Sequence, residues 1–288
     1  MADVYLNGFF MNADQARISP MDRGFLFADG VYEVIPAFNG VLFRLNDHLL
    51  RLQRSLGALQ IPNPHSADAW QALCKEMIGR NGGGNISIYL QITRGAPDKR
   101  DHGFPVPPVP PSVFMATSPL VPSAISNSAT APGAAAIVAE DIRWARCDIK
   151  AVALLPNILL RQQAIAAGAA EAILIRDGFV TEGSTTNVFV VKDGRIATPP
   201  RTPKILAGVT RELVVELCRD HELPLVEQEV PKEQLYDADE IWVTSSSKDA
   251  LPIVSLDGRP IGHGRPGTLW KTLARHFLDL KQAACRSA

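Results

Sequence analysis

Nine lysines accompany twenty arginines in this chain, and one lysine has a setting unlike the others. Lys150 is followed by Ala151-Val152-Ala153-Leu154-Leu155. An amine in apolar surroundings loses the hydration that stabilises its ammonium form and becomes a usable nucleophile toward a carbonyl. The same residue fits a strand-edge lysine whose head stays in water, and local sequence alone favours that plainer role. Thr181-Glu182-Gly183-Ser184-Thr185-Thr186-Asn187 sets an acid among hydroxyls directly before the apolar run Val188 to Val191. Such an acid could stay ionised inside the protein and accept a hydrogen bond from a cationic ligand nitrogen; a polar turn is the commoner use of such a stretch. Leu206-Ala207-Gly208-Val209-Thr210 opens a helical segment, where free backbone N–H groups and the helix dipole suit a phosphate. Thr210 would serve equally as an ordinary N-cap. Thr244-Ser245-Ser246-Ser247 offers four hydroxyls after an expected strand, Glu240 to Val243, or is a polar loop. Arg51 precedes the apolar Leu52 and could reach inward or lie on a solvated helix face. Arg100 and His102, one residue apart in Lys99-Arg100-Asp101-His102-Gly103-Phe104-Pro105, can grip a carboxylate through charge-assisted hydrogen bonds. A solvated charged loop describes them about as well.

The elements that must position these residues follow from pattern. Asn7-Gly8, Asn39-Gly40, Asp177-Gly178, Asp193-Gly194 and Asp257-Gly258 lie between apolar or β-branched runs, the strongest short-range hairpin signal. Helical spacing occurs at Asn46 to Leu59, where Leu49, Leu52, Leu56 and Leu59 recur behind an Asn46 cap, and again at 66–78, 157–168, 209–222 and 266–280. Hairpins interspersed with helices indicate an α+β fold rather than a doubly wound parallel sheet. Gly82-Gly83-Gly84, before a strand at Ile86 to Thr93, reads as a helix stop and turn. No internal repeat and no G-x-G-x-x-G is visible. Pro105, Pro107, Pro108, Pro110 and Pro111 crowd one stretch, and Pro119-Leu120-Val121-Pro122 follows. Proline cannot donate to a ladder, so these mark a loop and then a linker. The expectation is a smaller domain of residues 1–119, a linker of 120–124 and a larger domain of 125–288.

Composition sets the outer limits. Over 288 residues, 29 Lys plus Arg against 30 Asp plus Glu leave a net charge of −1, which argues against a dedicated nucleic-acid binder. With 46% hydrophobic and 20% charged residues the chain can bury a substantial core. No apolar run approaches the roughly 20 residues that span a bilayer, and Met1-Ala2-Asp3-Val4 lacks the basic and apolar regions of a secretory leader. A cytoplasmic protein without a nucleic-acid or membrane partner is expected. Cys74, Cys147, Cys218 and Cys285 are spread evenly without a Cys-x-x-Cys pair and suggest neither a metal site nor a disulfide framework.

Taken in order, Asp22-Arg23-Gly24-Phe25-Leu26-Phe27-Ala28-Asp29-Gly30-Val31-Tyr32-Glu33, Asn46-Asp47-His48 to Arg51-Leu52, Asp148-Ile149-Lys150, Thr181-Glu182-Gly183-Ser184, Gly208-Val209-Thr210-Arg211 and Val243-Thr244-Ser245 resemble the class IV, fold-type IV pyridoxal-phosphate aminotransferases over nearly the whole chain. Gly30-Val31-Tyr32-Glu33-Val34, Arg100-x-His102 and Glu140-Asp141-Ile142-Arg143-Trp144 leading to Cys147-Asp148-Ile149-Lys150 are similar to the branch acting on D-amino acids. The resemblance implies a two-domain α+β fold with a smaller N-terminal α/β domain, a larger C-terminal domain with a β-barrel-like sheet, and pyridoxal 5′-phosphate at the domain interface. It implies that Lys150 holds the cofactor as a Schiff base and shuttles a proton, and that Glu182 keeps the pyridine nitrogen protonated, the condition for an electron sink. Arg51, the backbone at Gly208, Val209 and Thr210, and Ser245 or Ser246 would bind the phosphate, and Leu206 would pack on the ring. Tyr32, Arg100 and His102 match a trap for the substrate α-carboxylate, the Arg-His loop coming from the other subunit of a homodimer. Gripping the carboxylate on a fixed side decides which Cα–H faces Lys150 and so selects the D-configuration. The implied reaction is D-alanine plus 2-oxoglutarate giving pyruvate plus D-glutamate by a ping-pong mechanism. Branched-chain L-amino acid aminotransferases, (R)-selective amine transaminases and aminodeoxychorismate lyases share the fold and would also keep Lys150 and Glu182. Two departures stand out: the stretch from Thr93-Arg94-Gly95 to Arg100 is slightly longer than the family's usual spacing, and Ala151 and Ala153 replace polar residues of some relatives. A binding protein that keeps the fold without catalysis is the reading of another class; such a protein has no need to keep both Lys150 and Glu182.

Overall fold

Each of the five Asn-Gly and Asp-Gly pairs turns one strand back on its neighbour in the computed structural model, which describes residues 3–286. Both residues of every pair have positive φ, from 48° at Asn7 to 100° at Gly8. Gly, Asn and Asp take that conformation most readily, and it matches the twist of the flanking strands. Along the first part of the chain run β1 (Asp3–Leu6), β2 (Phe9–Asn12), α1 (Arg23–Phe27), β3 (Gly30–Phe38), β4 (Val41–Leu42), α2 (Leu45–Ala58), α3 (Ala67–Arg80), β5 (Ile86–Thr93) and β6 (Ser112–Pro119). They form an antiparallel sheet in the order β2-β1-β6-β5-β3-β4. One core joins Ile35, Ile88 and Leu90 of the sheet to Leu52 and Leu56 of α2 and Trp70 and Met77 of α3. Burying side chains of this size contributes about 1.5–3 kcal/mol each.

The start of α2 differs from expectation. Asn46 lies inside the helix; the N-cap is Arg44, at φ 57° and without a side-chain cap. Arg44 Nε lies 2.8 Å from Asp47 Oδ2, and Asp47 puts an acid in the first turn, where the helix dipole favours it. The three glycines after α3, at φ between 67° and 85°, end that helix and turn the chain into β5.

The remaining elements are β7 (Ala134–Glu140), α4 (Leu155–Ala166), β8 (Glu171–Arg176), β9 (Phe179–Gly183), β10 (Asn187–Lys192), β11 (Arg195–Thr198), α5 (Val209–Asp220), β12 (Leu225–Glu227), α6 (Lys232–Tyr236), β13 (Glu240–Ser245), β14 (Asp249–Leu256), β15 (Arg259–Pro260) and α7 (Thr268–Arg286). Their sheet runs β12-β11-β10-β13-β14-β7-β8-β9, with β15 on β14. The pairs β11–β12, β14–β7 and β7–β8 are parallel, the others antiparallel. At the end of this order β9 returns against β10, so the sheet curls into a partial barrel. Among the described residues no helix is long and apolar enough to cross a membrane.

Two compact units result, and the chain passes from the first to the second after Val121. One division corrects the expected partition. Ile149–Leu154, which carries Lys150, belongs to the first unit, as do residues 284–286. The cause is backbone pairing: Tyr32 N–H donates to Lys150 O and Val152 N–H to Gly30 O, each at 3.0 Å, and Val31 faces Ala151 in an antiparallel bridge. β4 pairs only with the far end of β3, so the start of β3 keeps an open edge that this distant segment completes.

Candidate active site

Strand alternation sorts the chemistry of β3. Val31, Glu33 and Ile35 point to the buried side and Tyr32 to the other. Glu33 has no exposed surface, and both its oxygens are occupied. Arg51 Nε donates to Oε1 and Arg51 Nη2 to Oε2, each at 2.8 Å, and His48 Nδ1 lies 2.8 Å from Oε2. His48 and Arg51 stand three residues apart on α2, neighbours on one helix face. Burial would raise the Glu33 pKa, but the Arg51 charge and the hydrogen bonds from Arg51 and His48 outweigh it and hold the carboxyl well below the usual range. His48 is lowered, chiefly by burial, with the Arg51 and Lys150 cations adding to it against the pull of Glu33. The ring is therefore neutral and donates Nδ1–H to Glu33. Of the two roles open to Arg51, the structure places it inward, at 4% exposure.

Lys150 sits between Ile149 and Ala151, both buried in the first core, at the centre of a tight turn in which Ala151 N–H donates to Ile149 O at 2.8 Å. Its Nζ lies 4.0 Å from the Tyr32 ring centroid, its backbone N–H donates to Ser55 Oγ at 3.2 Å, and among the described residues no carboxylate pairs with its amine. Tyr32 and Glu33 thus lie at the start of β3, His48 and Arg51 in the first two turns of α2, and Lys150 on the segment bridged to β3.

The second group assembles around Glu182. It lies on β9 rather than in a turn, and the hydroxyls beside it in sequence serve another acid. Ser184, Thr185 and Thr186 donate to Glu171, the last two at 2.9 and 3.0 Å. Glu182 instead accepts from Asn187 Nδ2 and the Leu206 backbone N–H, both at 3.0 Å, on Oε2, and from Arg143 on Oε1. Arg143 is also bound by Asp141 through two 2.8 Å hydrogen bonds. Burial works against ionisation of Asp141, but Arg143 and Thr181 overcome it and lower its pKa. At Glu182 burial wins over Arg143, and the pKa is raised. A carboxylate offers about four acceptor positions; three donors occupy Glu182, and one position remains for a further donor.

Asn187 ties this acid to the rest of the second group. Its Nδ2 also donates to Leu206 O at 2.8 Å, and a Cβ on Gly208 would run into its Oδ1. Gly208 is the N-cap of α5 and brings no side-chain cap, so Thr210 lies within the first helical turn instead of capping it. Across the sheet Asn187 faces Thr244, whose buried Oγ1 has no hydrogen-bond partner. Thr244 and Ser245 continue β13, leaving Ser246 and Ser247 to the turn. Leu206 and Gly208 thereby meet at one amide, with Thr244 across the sheet from it. Arg100 and His102 are exposed and lie on the ring of Phe27.

Residues 30–256 match the family described as amino-transferase class IV. The chain belongs to this family. It is 41% identical over 271 residues to the D-alanine aminotransferase of Bacillus licheniformis, covering 94% of each chain. With the D-alanine aminotransferase of Staphylococcus epidermidis it shares 38% over 283 residues, 96% of this chain and 97% of the relative. The crystal structure of the branched-chain amino acid aminotransferase of Escherichia coli superposes with a TM-score of 0.87 at 28% identity, over 97% of this chain and 94% of that one. A second branched-chain amino acid aminotransferase, that of T.th., complexed with N-(5′-phosphopyridoxyl)-L-glutamate, gives 0.87 and 28%, over 98% and 95%. The fold is that of the fold-type IV aminotransferases, and this class IV aminotransferase carries the two-unit arrangement of mixed helix and sheet that the motifs implied.

Sequence reasoning assigned no role to Glu33, His48, Asp141, Arg143, Glu171 or Asn187. For Glu33 a signal existed: an acid on the buried phase of an otherwise apolar strand needs a partner. Nothing local marks Arg143 as the partner of a residue 39 positions away.

Proposed function

We propose that the protein is a D-amino acid aminotransferase that uses pyridoxal 5′-phosphate, acts as a homodimer in the cytoplasm, and converts D-alanine and 2-oxoglutarate to pyruvate and D-glutamate in two half-reactions. The observation that carries the substrate class is the Arg100–His102 pair: two donors held together on Phe27, with no carboxylate paired to Arg100 among the described residues. That is an arrangement suited to a carboxylate from outside the chain. The relatives named D-alanine aminotransferase support the same reading.

The residues present fit the cofactor. An uncapped α5 N-terminus and the unpartnered Thr244 hydroxyl suit a phosphate, and the remaining acceptor position of the buried Glu182 suits a protonated ring nitrogen. Lys150 would hold the group by its amine, with Arg51, Gly208, Val209, Thr210 and Ser245 or Ser246 on the phosphate and Leu206 on the ring. When bound, it supplies a sink for the electron pair left as the substrate Cα–H bond breaks. Lys150 takes that proton and returns it, acting as base and then acid. Glu182 stabilises positive charge on the nitrogen, and Glu33 with His48 keeps Arg51 fixed. Arg100, His102 and Tyr32 grip the α-carboxylate, so the hydrogen of the D-isomer faces Lys150. Tyr32 contacts Lys150 and Tyr89, and Arg100 and His102 contact Phe27; a second copy would bring its Arg100 and His102 to this Tyr32. Leu155, Ile158, Leu159 and Ile165 make an exposed apolar stripe on α4, a surface a second copy would cover.

Pyruvate release from purified protein mixed with D- or L-alanine and 2-oxoglutarate tests the reading. Turnover of D-alanine is expected, with a yellow colour that shifts on adding D-alanine and is lost in Lys150→Ala. Equal or exclusive use of the L-isomer would refute it. The branched-chain aminotransferases among the solved structures favour a second reading, transamination of branched-chain L-amino acids, and L-leucine in the same assay separates the two.

A further inference from the structure

The loop bearing Arg100 and His102 has no regular secondary structure and is exposed from Arg100 to Phe104, yet one buried side chain holds three successive carbonyls of its backbone. Arg23, 4% exposed, donates from Nη1 to Asp101 O at 2.5 Å and Gly103 O at 3.0 Å, and from Nη2 to His102 O at 3.2 Å. Its Nε goes to Asp29 Oδ2 at 2.7 Å. A planar fork of five donors makes this possible; an ammonium cannot span the same acceptors. One turn along α1, the Phe27 ring receives the guanidinium of Arg100 at 4.7 Å, that of Arg23 at 4.9 Å and the ring of His102 at 5.2 Å.

The helix that presents both residues is itself tied down. Asp22 accepts from Gly24 N–H at 2.8 Å, Thr93 Oγ1 at 2.9 Å and Ser112 Oγ at 2.6 Å, and Arg23 N–H donates to Gly95 O at 2.9 Å. Asp29 also binds Arg94 at 2.8 and 2.9 Å, and Arg94 lies 3.6 Å over the Phe104 ring at the loop's far end. An exposed polar loop contributes little to a core, and ordering it costs conformational entropy. A buried arginine spent on its backbone makes sense where the loop's geometry matters.

We propose that Arg23, together with Phe27, positions the substrate-carboxylate grip: Arg23 sets the backbone of residues 101–103, and Phe27 sets the directions of Arg100 and His102. The inference rests on the role given to Arg100 and His102 above. Neither Arg23 nor Phe27 touches substrate, and their contribution is to hold the grip ready before the carboxylate arrives.

Arg23→Lys keeps a cation for Asp29 and removes the fork. KM for D-alanine and for 2-oxoglutarate should rise about tenfold while kcat stays within about twofold, the signature of lost binding common to ground and transition states. Bound-cofactor absorbance should be unchanged, and amide exchange at residues 101–104 should quicken. Phe27→Leu, which leaves every Arg23 hydrogen bond intact, should show the same separation of KM from kcat. In an Arg100→Ala/His102→Ala background Arg23→Lys should add less than about twofold, since coupled residues are not additive. An equal KM increase in that background would overturn the proposal. So would a fall in kcat at constant KM, an unchanged KM in both single variants, or loss of bound cofactor in both. If Arg100→Ala/His102→Ala alone leaves KM unchanged, the grip is misassigned, a failure of the proposed function that shows without any change at Arg23.

Discussion

Replacing Glu33 with Gln preserves shape and removes one buried charge. The wild-type carboxylate accepts three hydrogen bonds of 2.8 Å, two from Arg51 and one from His48. Gln keeps one acceptor oxygen and turns an NH₂ group toward the remaining donors, and Arg51, 4% exposed, loses its counter-ion. Removing one partner of a buried pair costs about 3–5 kcal/mol, and the retained neutral hydrogen bond offsets about 0.5–1.5 kcal/mol, leaving about 3 kcal/mol. At ~2.1 cal/mol/K per residue, 288 residues have an unfolding entropy of about 0.6 kcal/mol/K, so Tm should fall by about 5 °C. Calorimetry of both proteins at pH 7.5 without added cofactor measures this. The pH dependence has a definite sign. The pKa of Glu33 is depressed in the folded state, so its stabilisation is present above the unfolded value of ~4.3 and is lost as pH falls toward the folded value. The difference in Tm should hold steady near neutrality and narrow below about pH 4.3. A Tm difference under about 1 °C, or one that persists undiminished in acid, would refute Glu33 as the buried counter-ion of Arg51.

Three further outcomes follow from the same contacts. The lowered pKa of His48 keeps the native state from taking a proton that the unfolded chain binds below ~6.5. Stability should decline as pH drops through that value, and His48→Gln should flatten the decline in urea midpoints measured between pH 7.5 and 5.5. Arg143→Met leaves Glu182 buried without its cation, which raises the acid's pKa further. Cofactor affinity, followed by absorbance titration, should weaken by at least about tenfold, the equivalent of one lost charge-assisted hydrogen bond. Gly208→Ala forces a Cβ onto Asn187 Oδ1, at a cost of about 1–3 kcal/mol, and the amide it displaces links Glu182 to Leu206; both apo-protein Tm and cofactor affinity should fall.

Much of this architecture was legible in order of appearance along the chain. The five turn dipeptides need positive φ at adjacent residues, a local demand that only a few residue types meet, so those five hairpins fell where they were expected. Leu49, Leu52 and Leu56 similarly declared the buried face of α2, because helical period is a property of neighbouring residues. The cap of α2 was misread at Asn46 because the helix begins at Leu45, after an Arg44 in the left-handed conformation that brings no side-chain cap. The hydroxyls of Ser184 to Thr186 were misread as company for Glu182, because strand geometry hands them to Glu171, which precedes them by more than a turn's length of chain.

Residue types and spacing by themselves determined which groups are available for chemistry: one lysine in an apolar run, an acid before a strand, a helix opening on glycine, an arginine and a histidine one residue apart. They determined the family as well, since its motifs occur in order over nearly the whole length. Tertiary structure alone decided the company each group keeps. It moved the Lys150 segment onto the open edge of β3, gave Arg51 to a buried Glu33, set Arg143 between Asp141 and Glu182, and placed the Arg100 loop under the control of Arg23. Arg51 and Glu33 are 18 positions apart, Arg143 and Glu182 39, and Arg23 and Gly103 80. Charge and hydrogen bonding act through space, over a few ångströms, and chain distance says nothing about which partners come that close.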